Sequence, residues 1–349
     1  MQNSAFYTLI MNEVSGYQSL SIHPGQINTW YTSLKPRRSK LAGLFDEEEL
    51  AAGRKLMPKQ FRDNNTHGKI SDIAKKKITK AVTYITHVVP KKKYYHPYYN
   101  RSGEFQLNFI TLTLSSEQIH SDNEIKSNIL EPFFDALRRK WKIISYIWRA
   151  EKQTNGSIHF HIIADRFVPW NELRNHWNLC QQKLGYVTRY RDNQIARHKE
   201  GFSYRPELEK TWPRAKQYKA FQEGLRTDWA NPNSTDVHSL WHIGHLANYL
   251  TKYITKQEQS ANIQGRLWGC SSNLVKLRGG QSFAEGSLND EITVLEQMPG
   301  SRQYKSDYFS CLFYDPKVLY SGKFPELLEL LETFIKNQFA EYRPPSLEL

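Results

Sequence analysis

The chain has 349 residues, of which 39% are hydrophobic and 13% aromatic, and this composition excludes a disordered chain and predicts a soluble globular protein. It contains no apolar run long enough to cross a membrane and no signal-peptide pattern at its N-terminus, so we expect a protein of the cytoplasm without a membrane partner. Lys and Arg outnumber Asp and Glu by 48 to 35, and this excess predicts a polyanionic partner.

The positive charge is clustered along the chain. Lys and Arg concentrate at 74–80, 91–93 and 138–142, and the stretches 91–101 and 185–192 interleave cations with tyrosines. A single lysine-rich cluster can also be a solvated helix face. Aromatic rings among the cations favour unpaired nucleic acid, because rings can stack on bases while cations contact phosphates. A membrane surface would require an amphipathic basic helix, for which the sequence offers no strong candidate.

The first elements along the chain are a helix and a strand. Residues 1–70 show little periodicity apart from a short helix predicted at 46–56. Ser71 can cap a helix whose apolar residues recur at helical spacing until Pro90 ends it. Apolar and polar residues then alternate over 107–115, which predicts a strand.

A second helix is predicted after this strand. Ser121 and Glu124 have the spacing of a capping box, in which each side chain bonds the backbone N–H of the other residue. Pro132 follows within the same helical pattern, so we expect the helix to be kinked or split in two there.

A β-hairpin is predicted next. Strands at about 143–151 and 157–163 flank the sequence Thr-Asn-Gly, which is a turn signal. In a three-residue loop, Gly156 would adopt the left-handed conformation.

The hydrophobic pattern selects the register of this hairpin. With the three-residue loop, Glu151 faces His159 and Arg149 faces His161, and the apolar residues fall on the opposite face of the sheet. A two-residue loop would slip the register by one and mix apolar with polar residues on both faces. We therefore expect Glu151, His159 and His161 to lie together.

Glu151, His159 and His161 are candidate metal ligands. Two imidazoles and a carboxylate that converge from rigid strands form a three-point site for a divalent cation, with open positions for water or phosphate. The alternative is a surface cluster of ion-paired residues. Histidines two residues apart are also expected by chance in a chain with 12 His, so the pair alone carries little weight.

The second half of the chain contains further predicted elements. Helices are predicted at 169–185 and 214–225, whereas the residues between them are basic, aromatic and poorly periodic. A strand at 234–243 leads into a helix at 244–259. A last helix is predicted at 324–342, with acidic residues early and a lysine late, as the helix dipole favours.

The helix at 244–259 carries a stripe of tyrosines and lysines. On a helical wheel, Tyr249, Tyr253, Lys252 and Lys256 fall on one side, together with His245. Tyrosines at this spacing often pack against a core. Lysines in the same stripe instead favour a phosphate-facing surface, on which the phenols can act as nucleophiles.

Three of these features together resemble a known family. The strand 109–115, the sequence His-Phe-His at 159–161 and the segment YLTKYITK at 249–256 resemble, in this order, the motifs of the HUH endonucleases. The resemblance covers about 105–256 and is to the two-tyrosine rolling-circle replication initiators of small single-stranded DNA phages and related replicons. Residues 265–274 also look like a segment that follows the tyrosines in such initiators. Conjugative relaxases are similar in chemistry but place their tyrosines before the histidines.

The resemblance implies roles for the candidate residues. His159 and His161 would bind Mg²⁺ or Mn²⁺, a polar residue such as Glu151 would complete the ligand set, and Tyr249 and Tyr253 would attack DNA. The third ligand varies within the family, so the assignment of Glu151 depends mainly on the hairpin register.

The fold that the resemblance implies is α+β, an antiparallel sheet of about five strands flanked by helices, and the order of the predicted elements is compatible with it. We expect three segments: a basic, helical N-terminal extension at 1–104 that packs on the nuclease core, an HUH nuclease domain at 105–277, and a helical C-terminal extension at 278–349.

The implied activity is that of a replication initiator. A tyrosine would cut single-stranded DNA or an origin hairpin at one site, leaving a 5′-phosphotyrosine and a free 3′-OH, while Lys252 and Lys256 stabilise the phosphate and the phenolate. The sequence has no GxxxxGK[ST] motif, so we expect a host helicase to unwind the DNA and a host polymerase to extend it, in the cytoplasm of a bacterial host.

Three other functions remain open from the sequence. A transposase could use the same two-tyrosine chemistry. A non-catalytic single-strand DNA-binding protein would bind in a salt-dependent way but would not cut. A hydrolytic zinc nuclease would use water as the nucleophile and leave no covalent adduct.

Overall fold

The computed structural model describes residues 16–33, 70–96, 100–240, 263–275, 277, 279–306, 309–339 and 342. The chain divides into two compact units, one formed by residues 66–275 and the other by residues 1–65 and 276–349.

The described residues contain twelve strands and nine α-helices. The strands are β1 (Gly16–His23), β2 (Gln26–Ser33), β3 (Lys92–His96), β4 (Arg101–Phe105), β5 (Leu107–Thr113), β6 (Tyr146–Lys152), β7 (Ile158–Ala164), β8 (Thr235–Leu240), β9 (Trp268–Cys270), β10 (Gly280–Phe283), β11 (Arg302–Ser306) and β12 (Phe309–Phe313). The helices are α1 (Asp72–Val88), α2 (Asp122–Ile125), α3 (Glu131–Arg139), α4 (Trp170–Gln182), α5 (Tyr186–Arg197), α6 (Arg214–Thr227), α7 (Ser272–Val275), α8 (Gly286–Glu296) and α9 (Pro325–Gln338).

The unit at 66–275 is built on a five-stranded sheet, called here the central sheet, with the order β8-β5-β7-β6-β9. Every neighbouring pair in it is antiparallel. Strands β3 and β4 form a separate two-stranded ribbon. The predicted fold class is confirmed: the protein is α+β, with a five-stranded antiparallel sheet flanked by helices.

The hairpin of β6 and β7 has the predicted register. Glu151 pairs with His159, and Arg149 pairs with His161. Gly156 has a φ of +80°, the left-handed conformation that the three-residue loop requires. The side chains of Phe160 and the other apolar residues of this hairpin lie on the opposite face and are buried, so alternation along the strands separates the core from a polar face.

The predicted helix caps are also confirmed. The Ser71 hydroxyl accepts a hydrogen bond from the backbone N–H of Ala74 at the start of α1. Ser121 and Glu124 form both bonds of a capping box at the start of α2. Between α2 and α3 the backbone passes through a π-helical segment, Lys126–Leu130, immediately before Pro132. The predicted break therefore takes the form of a widened turn, because proline cannot donate to the preceding turn.

Helix α4 covers the apolar face of the central sheet. The Trp177 ring packs edge-on against Phe133 of α3, with ring centroids 5.3 Å apart, and lies 6.3 Å from Phe160 of β7. The indole N–H of Trp177 donates to the Thr113 carbonyl at 2.7 Å. Helix α4 therefore ends the apolar core at the point where β5 ends.

The segment after Gly185 departs from the predicted pattern. It was expected to be non-periodic, but it begins with helix α5, in which only Tyr186 and Val187 are buried. Its weak apolar periodicity reflects this exposure, because a helix that buries little has no need of an apolar stripe.

The second unit contains its own antiparallel sheet, with the order β10-β1-β2-β12-β11. The residues 278–349 thus contribute three strands, in addition to α9, which confirms the predicted C-terminal helix. The expectation of a purely helical extension is therefore corrected. Residues 16–33, which looked irregular, form a hairpin whose Pro24-Gly25 turn places Gly25 at a φ of +75°.

The compact units do not follow the three predicted segments. The predicted boundary at 277 is close to the division at 275, but helix α1 belongs to the same unit as the central sheet. Pairing of strands distant in sequence, β1 with β10, places the first and last parts of the chain in one unit. The helices predicted at 46–56 and 244–259 lie outside the described residues. Within the described part, none of the helices has the length and apolarity needed to cross a membrane.

Candidate metal centre

The polar face of the β6–β7 hairpin gathers the three predicted ligands. Because Glu151 lies opposite His159, and His161 is two residues further along β7, all three side chains project from the same face of the central sheet. The third strand, β5, lies on the other side of β7 and places Thr111 opposite His161. The metal centre is therefore held by three adjacent strands.

The ligand atoms are close enough to share one ion. The Nε2 atoms of His159 and His161 each lie 3.5 Å from Oε2 of Glu151. One ligand atom from each of the three residues lies within 4.8 Å of the others. The two imidazole side chains are 16% and 17% exposed and the Glu151 side chain 11%, so the site is recessed but open to a ligand.

A buried arginine completes the charge balance of the site. The Arg149 side chain is 6% exposed, and its Nε lies 3.2 Å from Oε1 of Glu151, the carboxylate oxygen that is turned away from the histidines. Burial by itself raises the pKa of Glu151, but the hydrogen bonds with His159 and His161 and the charge of Arg149 outweigh it and hold that pKa well below its usual range. Glu151 is therefore a carboxylate at neutral pH.

The two histidines differ in their outer contacts. Nδ1 of His161 lies 3.1 Å from the Thr111 hydroxyl, and the ring stacks on Phe109 with centroids 5.4 Å apart. Nδ1 of His159 is buried and has no hydrogen-bond partner among the described residues. A proton on Nδ1 of His161 would donate to Thr111 and leave Nε2 free to bind a metal, which is how outer contacts usually fix a ligating imidazole.

The donor set fits a divalent cation. Two neutral imidazoles and an ionised carboxylate suit Mn²⁺, Zn²⁺ and related ions, and the three ligands leave coordination positions for water or phosphate. Arg149 binds the second oxygen of Glu151, so the carboxylate would offer one oxygen to the metal. The residues present therefore fit the metal-binding role, while the identity of the metal is not fixed by the ligands.

Sequence reasoning did not assign Arg149 or Thr111 to the site. Arg149 was recognisable, because it shares the face of Glu151 two residues away along β6. Thr111 was not, because β5 and β7 are separated in the chain by helices α2 and α3, so their register follows from tertiary packing and not from a turn.

The predicted catalytic residues Tyr249, Tyr253, Lys252 and Lys256 lie outside the described residues. The residues that flank this segment are described. Leu240 ends β8 at one edge of the central sheet, and Ile263 leads into β9 at the other edge. Residues 241–262 therefore join the two edges between which β5, β7 and β6 carry the metal centre.

The return point of this segment is anchored by buried charges. The carboxylate of Asp122 accepts a hydrogen bond from the Gln264 backbone N–H at 3.0 Å, and the Lys126 ammonium group donates to the Gln264 carbonyl. Lys152, which follows Glu151 on β6, forms an ion pair with Asp122 at 2.7 Å. Burial lowers the pKa of Lys126 to about 8. Gln264 is therefore fixed relative to the strand that carries Glu151.

Comparison with known proteins agrees with part of this site. Residues 107–258 match the family of replication-associated proteins of the ORF2 type, and this range is less than half of the chain. The matched range begins with β5, includes the β6–β7 hairpin and extends past Tyr253. The match is consistent with a role in replication initiation. No curated protein and no solved structure matches the chain significantly.

Proposed function

We propose that the protein is a metal-dependent endonuclease and strand transferase that cuts single-stranded DNA to initiate rolling-circle replication. The observation that carries the proposal is the cluster of Glu151, His159 and His161 on one sheet face, within a range that matches replication-associated proteins. The family match favours replication, and the ligand set favours phosphoryl-transfer chemistry.

The described residues have defined roles in this proposal. His159, His161 and Glu151 hold a divalent cation, Mg²⁺ or Mn²⁺. When bound, such an ion polarises the scissile phosphate and stabilises the charge of the transition state. Arg149 keeps Glu151 oriented and ionised, and Thr111 keeps His161 in the tautomer that presents Nε2.

Tyr249 or Tyr253 is the nucleophile in this proposal. The phenol oxygen bonds to phosphorus as the P–O3′ bond breaks, so the 5′-phosphate remains on tyrosine and the 3′ oxygen takes a proton to become a free hydroxyl. Lys252 and Lys256 would stabilise the phenolate and phosphate, because a tyrosine with an ordinary pKa of about 10 is mostly protonated at neutral pH. A host polymerase would extend the 3′-OH, and a host helicase would open the duplex.

The connection of the sheet supports this assignment of the tyrosines. Residues 241–262 begin at one edge strand and end at the other, and Gln264 is tied to the strand neighbourhood of the metal centre. A chain with both ends held in this way is favourably placed to pass near the central strands.

The test is the formation of a covalent adduct. The protein is incubated with single-stranded oligonucleotides that tile the DNA molecule encoding it, in the presence of Mn²⁺ or Mg²⁺. The expected result is a protein–DNA band that survives denaturing electrophoresis and is lost in His159→Ala and in the double variant Tyr249→Phe, Tyr253→Phe. Binding without cleavage would indicate a non-catalytic DNA-binding protein, and cleavage without an adduct would indicate a hydrolytic nuclease. Cleavage at transposon ends rather than at one origin would indicate a transposase.

A further inference from the structure

A second candidate site lies beside the end of β5. A cavity of about 440 Å³ is formed by α5, α6, the loop that joins them and the residues before β8, and it also includes Leu114 and Ser115. Its volume falls within the range of roughly 300–1,000 Å³ that is usual for ligand clefts. We call it the aromatic cavity.

Aromatic rings dominate the lining of this cavity. The rings are those of Tyr190, His198, Phe202, Trp212, Phe221 and Trp229. The planes of His198 and Trp229 are within 6° of parallel, with centroids 5.9 Å apart, and His198 and Phe202 are within 5°. Flat, roughly parallel surfaces of this kind suit a flat aromatic ligand.

The cavity is not the hydrophobic core of a helix pair. The buried residues of α6 are Gln217 and Gly224, and those of α5 are Tyr186 and Val187, which face other parts of the unit. Tyr186, for example, bonds through its hydroxyl to the backbone N–H groups of residues 119 and 120. Helices that pack only for stability bury Leu, Ile and Val along a shared stripe. Here the aromatic side chains other than Trp229 stay half-exposed around an open space.

A single glutamine holds the loop that closes the cavity. Gln217 is 3% exposed and donates hydrogen bonds to the carbonyls of Arg205 and Trp212 at 2.9 and 2.8 Å. It also accepts from the Arg205 backbone N–H at 3.0 Å. The positions of Arg205 and Trp212 are therefore fixed by a buried side chain of α6.

The charged residues that line the cavity are basic. Arg197 and Arg205 line it, none of the lining residues is acidic, and within the described part of the chain neither arginine forms an ion pair. The Arg205 guanidinium lies over the Trp212 ring, 5.3 Å from its centroid. Burial, together with the repulsion from Arg197, lowers the pKa of Arg205. Two guanidinium groups that repel each other across an aromatic surface would be stabilised by a phosphate.

The cavity is close to the metal centre along one strand. Ser115 lines it, and its hydroxyl oxygen is buried without a hydrogen-bond partner among the described residues. Ser115 lies two residues beyond Thr113, which pairs with His159, and two residues of a strand span about 7 Å. A DNA strand held at the metal centre could therefore reach the cavity within a few nucleotides.

We propose that the aromatic cavity binds one unpaired nucleotide of the DNA strand that is cut at the metal centre. The base stacks on the rings beside Trp212, and its phosphate is held by Arg197 and Arg205. Stacking and charge together are what single-strand binding requires. This inference rests on the proposed function, since it takes the substrate strand as the ligand, and it adds the place where part of the sequence around the cut is recognised.

An abasic scan tests the proposal. The oligonucleotide that binds tightest is made with one abasic site at each position in turn, and dissociation constants are measured by fluorescence anisotropy in EDTA, so that no cleavage occurs. We expect abasic sites at one position, or at two neighbouring positions, to weaken binding by about 5- to 100-fold. Trp212→Ala should weaken binding of the intact strand by a similar factor and be insensitive to the abasic site at that position.

Matched variants separate the cavity from general effects. Trp212→Phe should restore most of the affinity, since a ring is retained, and Arg197→Ala should weaken binding. Arg189→Ala, on the exposed side of α5, and Trp170→Ala, an exposed tryptophan of α4, should bind like the wild type. A scan in which all abasic positions are equivalent would overturn the proposal, as would wild-type binding by both Trp212→Ala and Arg197→Ala.

Two further outcomes are distinguishable. Saturable binding of free deoxynucleoside monophosphates that depends on Trp212, with a flat abasic scan, would show that the cavity takes a free nucleotide and would overturn the proposal of a strand. A position-dependent scan with no covalent adduct in Mn²⁺ would contradict the proposed cleavage and leave the binding of an unpaired base supported. The binding assay in EDTA and the adduct assay therefore fail independently.

Discussion

The metal centre and the aromatic cavity belong to the same unit but are held by different kinds of backbone. The ligands of the metal centre project from adjacent, fully paired strands, and the Glu151 and Arg149 side chains are 11% and 6% exposed. The aromatic cavity is formed by two helices and a loop that depends on Gln217, and its rings are mostly half-exposed. One region fixes a few polar atoms, and the other presents a broad flat surface.

This difference separates two tasks. Phosphoryl-transfer chemistry requires ligand atoms at fixed positions, which a strand ladder supplies because each residue is held by its neighbours. Stacking on a base requires exposed aromatic area and tolerates small displacements. We therefore expect substitutions in the metal centre to change cleavage with little effect on binding, and substitutions in the cavity to change binding first.

The largest expected effect comes from the loss of a ligand. His161→Ala should reduce cleavage by more than about 100-fold, because loss of even an outer partner of a metal ligand typically costs 10- to 100-fold. Affinity for single-stranded DNA in EDTA should stay nearly unchanged, since stacking and phosphate contacts lie elsewhere. Adduct formation in Mn²⁺ and anisotropy in EDTA measure the two quantities. An equal loss of both would show that His161 supports the fold or the docking of DNA.

The next largest effect is expected at Arg149. Arg149→Gln removes the charge beside Oε1 of Glu151, so the carboxylate is less firmly oriented and its pKa rises toward the ordinary value. We expect the Mn²⁺ concentration for half-maximal cleavage to rise by about 10-fold or more. Arg149→Lys keeps the charge without the planar fork and should lie between the two.

Folding must be separated from positioning in this experiment. Breaking a buried ion pair can destabilise a protein by about 3 kcal/mol, so melting temperatures of both Arg149 variants are compared with the wild type. Arg149 acts on the metal site if the Mn²⁺ requirement rises in variants that remain folded at the assay temperature. An unchanged Mn²⁺ titration in folded Arg149→Gln would contradict this role.

The same contrast explains how much of the molecule could be predicted. The register of β6 and β7 followed from period-two alternation and from Gly156 at the turn, both of which are local in sequence. The metal centre was therefore predictable down to its three ligands. Helix caps at Ser71 and Ser121 are local signals as well, and both were correct.

The remaining parts depend on contacts distant in sequence. The aromatic cavity brings Leu114 and Ser115 together with residues 190–233, and no periodicity announces such an arrangement. Helix α5 buries so few residues that the apolar stripe expected of a helix is missing. The pairing of β1 with β10 joins residues 16–23 to residues 280–283, and only tertiary structure reveals it.

A smaller effect is expected from a glycine behind the cavity. A Cβ at Gly224 of α6 would lie within 2.7 Å of three atoms of the Trp229 indole, so Gly224→Ala must displace that ring. Helix propensity alone would favour alanine by about 1 kcal/mol. We expect weaker binding of single-stranded DNA, by roughly 5-fold, with an unchanged Mn²⁺ requirement. Gln222→Ala, an exposed neighbour on α6, is the control, and wild-type affinity in Gly224→Ala would show that Trp229 does not contact the base.

The smallest effect is expected at the turn of the metal-centre hairpin. Gly156→Ala meets no atom within 4 Å, so its cost is the left-handed backbone alone, about 1 kcal/mol, and Gly156→Asn should cost less because asparagine tolerates that conformation. Urea unfolding of the two variants measures this difference. Because the strands are held along their length by pairing from Tyr146–Ala164 to Lys152–Ile158, we expect cleavage by the folded variants to remain close to that of the wild type. Loss of cleavage in folded Gly156→Ala, retained in Gly156→Asn, would show that the turn and not the strand ladder sets the register of Glu151 against His159.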